Sequence, residues 1–144
     1  MKRNIKVLIA DDNREFCELL RDFINRQEDL TLVGIAYNGL ETLDLIRQHH
    51  PDVVLLDIIM PHLDGIGVLE QLLADGVSPR PKVIMLTAFG QESTTQRAVE
   101  LGADYYILKP FDFAVLATRI RQLANGVNVA KVMAAGKSKN LDLA

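Results

Sequence analysis

The sequence predicts an α/β fold in which five strands alternate with five helices within a single domain. Five apolar segments of strand length are too continuously apolar for strands with one exposed face, and this is typical of buried parallel strands. Segments with helical periodicity separate them. Such alternation predicts right-handed crossovers and helices on both faces of the sheet. We therefore predict a doubly wound (βα)5 fold with a five-stranded parallel sheet, for which a common strand order is 2-1-3-4-5.

The predicted strands are short and rich in aliphatic residues. They are IKVLIA, LTLVGIA, DVVLL, KVIML and DYYIL, at residues 5–10, 30–36, 52–56, 82–86 and 104–108. None alternates strictly between apolar and polar residues, as a half-exposed strand does. We therefore expect both faces of the sheet to be covered.

Apolar residues recur at helical spacing between these strands. The first helix has the fullest set, Phe16, Leu19, Leu20, Phe23 and Ile24. Sparser sets predict the second, third and fifth helices: Leu40, Leu43 and Ile46; Leu69, Leu72 and Leu73; Leu116, Ile120 and Leu123. The segment of the fourth helix, QESTTQRAVELGA, is polar over its first two turns. We expect this helix to be the least firmly anchored.

Length and composition fit one globular domain. The chain has 144 residues, 49% hydrophobic and 24% charged, and can bury a core without disulfides or structural metals. Its formal net charge of −3 gives no basic surface for nucleic acid. Cys17 is the only cysteine, and no apolar segment approaches the length of a membrane span. We expect a cytoplasmic protein that does not itself bind DNA or a membrane.

Ionisable and hydroxyl side chains stand where four of the predicted strands end. Asp11 and Asp12 follow the first strand, and Asp57 ends the third within the apolar segment VVLLDIIMP. A lone buried carboxylate is costly, so we expect Asp57 at the mouth of the strand and outside the core. The predicted order makes these two strands neighbours, at the edge where ligands bind in this fold class. Thr87 and Lys109, at the ends of the fourth and fifth strands, should share that edge.

Three carboxylates at one edge require a compensating cation. At about 4 Å and an effective dielectric constant of about 20, each pair repels by about 4 kcal/mol, which Lys109 alone cannot offset. Oxygen ligands favour Mg²⁺, or another divalent cation such as Mn²⁺ or Ca²⁺. A carboxylate beside such a metal can attack phosphorus, and Asp57 is the candidate for that role. Lys109 would neutralise one phosphoryl oxygen, and Thr87 would donate a hydrogen bond to another.

Each of these residues also has a simpler interpretation. Asp12 or Asn13 can cap the helix that follows the first strand. The hydroxyl of Thr87 can close a turn, and Lys109 can be a solvated surface lysine. The combination is more specific than any one member, because acidic, hydroxyl and basic groups fall at the ends of four strands that share one edge.

Four sequence blocks resemble one protein family closely. IADDN, LLDIIMPHLDG, MLTAF and YYILKPF are similar to the signature blocks of response-regulator receiver domains in two-component signalling, over residues 5 to 125. The resemblance implies that Asp57 accepts a phosphoryl group from a histidine kinase or a histidine phosphotransferase. It also implies that Asp12, Asp57 and the main-chain carbonyl of Ile59 bind Mg²⁺, with Asp11 assisting through water.

The resemblance further implies a conformational switch. Thr87 and Tyr106 match the hydroxyl and aromatic switch positions of the family, and Lys109 matches its lysine. Phosphorylation of Asp57 would draw Thr87 toward the phosphoryl group, and Tyr106 would rotate into the space left behind. The face formed by the fourth helix, fifth strand and fifth helix would then change shape by a population shift. Such a protein catalyses its own phosphorylation and slow dephosphorylation, and is not otherwise an enzyme.

A narrower resemblance is to the receivers of master sporulation regulators in endospore-forming bacteria. ADDNRE, AYNG, DIIMPHLDG, VIMLTAFGQE and YILKPFD carry it. Because a DNA-binding domain follows the receiver in such transcription factors, we expect a receiver at residues 1–125 and a linker or flexible tail at 126–144. The effector domain would be missing from this chain, and DNA would be bound only through it. The sequence also leaves open whether phosphorylation causes the protein to form a dimer.

Other functions compatible with this fold class remain as alternatives. A stand-alone receiver could relay phosphate or act by protein contact. A flavodoxin-like electron carrier would share the flavodoxin-like fold, but ADDNRE would repel a flavin phosphate. A phosphatase with an aspartyl nucleophile typically has that residue after the first strand and a second aspartate two positions on, whereas Asp11 and Asp12 are adjacent.

Overall fold

Five parallel strands form a single sheet at the centre of the protein. The computed structural model describes residues 4–88 and 92–127. Its strands are β1 (Ile5–Ala10), β2 (Leu30–Ala36), β3 (Val53–Asp57), β4 (Lys82–Thr87) and β5 (Tyr105–Leu108). Their order is β2-β1-β3-β4-β5, and all neighbouring pairs are parallel. The predicted fold class and strand order are confirmed, with β3 starting and ending one residue later than predicted.

Five helices connect and follow the strands. They are α1 (Arg14–Asn25), α2 (Gly39–His49), α3 (Gly65–Asp75), α4 (Glu92–Glu100) and α5 (Phe113–Ala124). Side chains of four residues accept a main-chain N–H in the first turn of α1, α2, α3 and α5: Asn13, Asn38, Asp64 and Asp112. Such caps stabilise a helix start by about 1 kcal/mol each. They fix short connections between a strand end and the helix that follows.

The two faces of the sheet are covered by different helices. In β1, Val7 and Ile9 belong to the core under α1 and α5, whereas Leu8 and Ala10 belong to the core under α2, α3 and α4. Successive strand residues point to opposite faces, so continuously apolar strands supply both cores. This arrangement explains why the strands lack alternation and leaves the carboxyl-terminal edge open for polar side chains.

Three leucines that the periodicity predicted on buried helix faces are exposed. Leu19, Leu40 and Leu73 are each more than half exposed, so this part of the prediction is wrong. Successive residues of an α-helix are about 100° apart, and each of these leucines lies beside the buried stripe of its helix. In α1 that stripe consists of Cys17, Leu20 and Ile24.

The fourth helix contributes little to the core. Among the described side chains of α4, at 93–100, only Ala98 is buried, and Leu101 follows just beyond the helix. This agrees with the prediction that α4 is the least firmly anchored helix. Its ion pair with α3, from Arg97 to Glu70 at 3.0 Å, joins two side chains that are half exposed.

The chain leaves α5 at Ala124, and its predicted tail falls largely beyond the described residues. The N–H groups of Gly126 and Val127 close the helix onto the carbonyls of Leu123 and Gln122. Residues 128–144 of the predicted linker lie outside the description. Within the described ranges, no helix combines the length and apolarity needed to cross a membrane.

Candidate functional site

Three aspartates meet at the carboxyl-terminal edge of the sheet. Asp11 and Asp12 directly follow β1, and Asp57 is the last residue of β3. One carboxylate oxygen from each lies within 4.8 Å of the others. Because β1 and β3 pair directly, their ends share this edge although they are distant in the chain. The structure thus brings together the three carboxylates that the sequence placed at strand ends.

The three carboxylates differ in their exposure to solvent. Asp11 is fully buried, Asp57 is 8% exposed and Asp12 is exposed. Asp57 was expected at the mouth of β3 and outside the core; it does end the strand, but its side chain is buried. The cause is close packing at this point, because Asp57 is flanked by β4 and the first residue of α3, Gly65, lies directly against its main chain.

Both carboxylate oxygens of Asp11 have hydrogen-bond donors. The N–H of Asn13 donates to Oδ1 over 2.9 Å, and the ammonium of Lys109 donates to Oδ2 over 2.5 Å. The main-chain N–H of Asp11 donates to the carbonyl of Ala36 over 3.0 Å. These contacts make a fully buried carboxylate tolerable, since buried charges require pairing and hydrogen bonds.

Lys109 lies between two of the aspartates and is closer to Asp11. Its Nζ is 2.5 Å from Asp11 Oδ2 and 3.5 Å from Asp57 Oδ2. Its main-chain N–H donates to the carbonyl of Thr87 over 2.7 Å, which fixes the residue to the end of β4. The Lys109 ammonium therefore reaches the site that strand order predicted, while pairing mainly with Asp11.

Asp57 carries an unusual carboxyl group. Burial, and next the charge of Asp11, raise its pKa from 3.8 to about 6, against the lowering effects of Lys109 and of main-chain N–H groups. One of these, the N–H of Ile59, lies 3.4 Å from Asp57 Oδ1. The contacts of Asp57 with Ile59 and Lys109, at 3.4 and 3.5 Å, are both long. Negative charge at this position is incompletely compensated by the protein.

The remaining predicted residues occupy the same edge or lie just below it. Thr87 ends β4 and is 1% exposed, and the register places it beside Leu108, immediately before Lys109. Tyr106 is half-buried on β5 and packs against the core under α2, α3 and α4. The side chain of Ile59 is 58% exposed, so only its main chain faces Asp57.

The carboxylates fit a hard divalent cation. Asp11, Asp12 and Asp57 offer oxygens only, which suit Mg²⁺ and related ions. The raised pKa of Asp57 supports this assignment, because a cation would supply the compensation that Lys109 gives mainly to Asp11.

A protein-family model agrees with this geometry. The model described as "Response regulator receiver domain" matches residues 7–121. This chain belongs to the response regulator receiver family. Receiver domains are phosphoacceptors that bind Mg²⁺ at an acidic pocket and interact with histidine kinases and phosphotransferases. Membership of this family favours the receiver over the flavin-carrier and phosphatase alternatives.

Solved structures of receiver domains are similar over most of this chain. The response regulator domain of Thermotoga maritima CheB is 33% identical with a TM-score of 0.77, covering 85% of this chain and 98% of that one. A DNA-binding response regulator of the LuxR family from Staphylococcus aureus is 29% identical with a TM-score of 0.78, over 84% and 99%. The CheX–CheY–BeF3–Mg²⁺ complex from Borrelia burgdorferi contains a chain that is 30% identical, with a TM-score of 0.74, over 83% and 88%.

Two residues of this receiver contribute to the site in ways the sequence did not indicate. Phe16, assigned to the apolar face of α1, places its ring 4.3 Å from Lys109 Nζ. Gly65 lies so close to Asp57 that a Cβ atom would collide with the carbonyl of Asp57. The DG pair that follows the third strand is a sequence signal for Gly65. For Phe16 there is none, because helical periodicity alone does not distinguish it from its core neighbours.

Proposed function

We propose that Asp57 is the phosphoacceptor of this receiver. The observation that carries the proposal is the contrast between the carboxylates at the edge. Both oxygens of Asp11 are engaged by donors at 2.5 and 2.9 Å, whereas the contacts of Asp57 with Lys109 and Ile59 are 3.5 and 3.4 Å long. A nucleophile needs an oxygen that is not tied up in short hydrogen bonds. The 3.4 and 3.5 Å contacts of Asp57 fit this requirement inside a buried site.

The metal site of the proposal consists of Asp11, Asp12, Asp57 and the main-chain carbonyl of Ile59. Mg²⁺ is the preferred ion, and Mn²⁺ or Ca²⁺ are alternatives with the same oxygen chemistry. When bound, the cation supplies charge compensation for the carboxylates and for the incoming phosphoryl oxygens. The Borrelia burgdorferi complex with BeF3 and Mg²⁺ supports this choice.

The proposed reaction moves one phosphoryl group. A carboxylate oxygen of Asp57 forms a bond to phosphorus, the bond between phosphorus and the donor imidazole nitrogen breaks, and the bonding electrons stay with the imidazole, which takes up a proton. Lys109 neutralises a phosphoryl oxygen as a point charge. The Thr87 hydroxyl donates a hydrogen bond to another. In slow dephosphorylation, water replaces the carboxylate and inorganic phosphate leaves.

Signal output is proposed to pass through α4, β5 and α5. Thr87 moves toward the phosphoryl group, and Tyr106 rotates into the vacated space. The sparse anchoring of α4, with Ala98 as its buried side chain among those described, makes it a suitable bistable element. A phosphorylation-dependent dimer through this face is part of the same proposal.

The effector of this switch is proposed to be a DNA-binding domain that regulates transcription. The related LuxR-family regulator supports this class of output. Control of sporulation is a narrower proposal, supported only by the sequence blocks. We also predict a cytoplasmic location. A stand-alone receiver that relays phosphate is the alternative.

Mass spectrometry tests the phosphoacceptor assignment. Wild-type protein incubated with acetyl phosphate and Mg²⁺ should gain the mass of one phosphoryl group, whereas Asp57→Asn should gain none. Asp64→Asn is the matched control, because Asp64 is an exposed aspartate near the site and asparagine preserves its capping of α3. Labelling of Asp57→Asn at the wild-type level would refute the assignment.

A further inference from the structure

The ring of Phe16 contacts the ammonium group of Lys109. Lys109 Nζ lies 4.3 Å from the ring centroid, within the range of a cation–π interaction. The Lys109 side chain is only 20% exposed, so water screens this contact weakly. The same ammonium donates to Asp11 and lies 3.5 Å from Asp57. Phe16 is therefore the apolar neighbour of the lysine at the acidic edge.

The start of α1 fixes both the ring and the carboxylate that hold Lys109. Asn13 donates its main-chain N–H to Asp11 Oδ1 over 2.9 Å, and its side chain accepts the N–H of Phe16 over 3.1 Å. The Lys109 ammonium contacts both groups, because it donates to Asp11 Oδ2 and lies over the Phe16 ring. Displacing the Phe16 ring would thus remove one of these two contacts of the ammonium.

Neighbouring aromatic residues hold the Phe16 ring in this orientation. Phe111 and Phe113 contact it edge to face, with centroid separations of 6.0 and 6.2 Å and interplanar angles of 79° and 76°. Both follow Lys109 closely in the chain. Lysine has a flexible four-carbon stem and no geometric preference of its own, so a rigid neighbour is needed to define its position.

We propose that Phe16 is a positioning residue for Lys109. Its ring face keeps the ammonium between Asp11 and Asp57, where it meets a phosphoryl oxygen carried by Asp57. This inference rests on the proposed function of Asp57. Phe16 does not touch the reacting atoms, and it acts by limiting the positions that Lys109 visits.

Three variants test the proposal. Phe16→Leu removes the π face but keeps an apolar side chain, and Phe16→Tyr retains the face. Phe23→Leu is the matched control, because Phe23 lies on the same helix, packs against Phe113 at 5.4 Å and belongs to the same core. Phosphorylation by acetyl phosphate with saturating Mg²⁺ should be about threefold to tenfold slower in Phe16→Leu. Phe16→Tyr and Phe23→Leu should react within about twofold of wild type.

A second measurement does not depend on phosphorylation. In the metal-free wild-type protein, the Lys109 side-chain methylene protons next to the ammonium should show an upfield ring-current shift by NMR. Phe16→Leu should abolish the shift, whereas Phe16→Tyr and Phe23→Leu should preserve it. If Phe16→Leu fails to fold, the wild-type spectrum still decides, because an absent shift overturns the proposal.

Two kinetic results would also overturn it: a wild-type rate in Phe16→Leu, or equal slowing in Phe23→Leu. Failure of the Asp57 assignment has a different signature, namely full labelling of Asp57→Asn. The NMR shift would then survive while the link to phosphoryl transfer would be lost.

Discussion

Lys109 pairs with Asp11 at 2.5 Å and stands 3.5 Å from Asp57, so its ammonium mainly compensates the fully buried carboxylate of Asp11. This pairing predicts that Lys109→Met destabilises the metal-free protein by about 2 to 4 kcal/mol, because it leaves Asp11 buried without its cation. Urea unfolding in EDTA measures the change. Asp11→Asn in the same background should recover part of the loss, and no recovery would contradict the explanation.

Asp57 should make the stability of the metal-free protein depend on pH. Its pKa is about 6 in the folded protein and 3.8 by reference, so ionised Asp57 destabilises the folded state above pH 4, increasingly up to about pH 6. Asp57→Asn should therefore be more stable than wild type by about 2 to 3 kcal/mol at pH 7.5. The difference should fall steeply between about pH 6 and pH 4, as Asp57 becomes protonated first in the folded state and then in the unfolded state.

Urea unfolding of both proteins between pH 4 and 8 in EDTA tests this prediction. Asp64→Asn serves again as the control, because Asp64 is exposed and asparagine keeps its capping role. A gain in Asp57→Asn that stays constant across the pH range would contradict the electrostatic cause.

Divalent cations should stabilise the wild-type protein through the same carboxylates. At a Mg²⁺ concentration about 100 times the dissociation constant, the free energy of unfolding should rise by about 2.7 kcal/mol. Asp12→Asn should weaken this effect without changing the metal-free stability much, because Asp12 is exposed. Equal Mg²⁺ stabilisation of both proteins would exclude Asp12 as a ligand.

Arg121 should stabilise the attachment of α5. Its guanidinium donates to both carboxylate oxygens of Asp29, over 2.7 and 3.0 Å, and to Gln27 over 3.0 Å. The hydrogen bonds to Asp29 raise the pKa of Arg121. Because the guanidinium is partly exposed, we expect Arg121→Ala to cost about 1 kcal/mol.

The exposed pair of Arg21 and Asp22, at 3.4 Å, provides the comparison. Arg21→Ala should change the free energy of unfolding by less than about 0.5 kcal/mol. A double-mutant cycle of Arg121 and Asp29 should yield a coupling energy of about 1 kcal/mol. Zero coupling would show that the bidentate geometry adds nothing in solution.

Gly65 should tolerate no side chain. A Cβ atom there would collide with the main chain of Asp57 and Ile58, so Gly65→Ala should cost about 2 kcal/mol or more and slow phosphorylation. In Gly67→Ala, two positions later in α3, the new atom meets the side chain of Leu63, which can move. Thermal unfolding and acetyl phosphate labelling of the two variants should therefore differ clearly.

Sequence patterns were sufficient for the fold and for the composition of the acidic edge. Alternation and handedness predict a doubly wound sheet, for which 2-1-3-4-5 is a common strand order, and the positions of Asp11, Asp57 and Lys109 follow from that order. The exposure of Leu19 was missed because spacing identifies a helical face but not the width of its buried stripe. Burial of Asp57 depends on how closely β4 and Gly65 pack around it, which no local pattern records.

The distances between the charged groups at this edge could not be predicted from the sequence either. Charge alone does not decide whether Lys109 prefers Asp11 or Asp57, because the choice depends on side-chain geometry set by three-dimensional packing. The contact of Phe16 with Lys109 has the same origin. Aromatic residues at helical spacing indicate a core, and only the assembled fold shows which of them borders a charge.

Only 8% of the surface of Asp57 is open to solvent, so a reacting group must approach a nearly buried carboxylate. If Asp57 accepts the phosphoryl group as proposed, the donor must present phosphorus on a small group, such as the imidazole of a side chain or a small acyl phosphate. Access would then select donors by shape before any pairwise recognition between proteins begins.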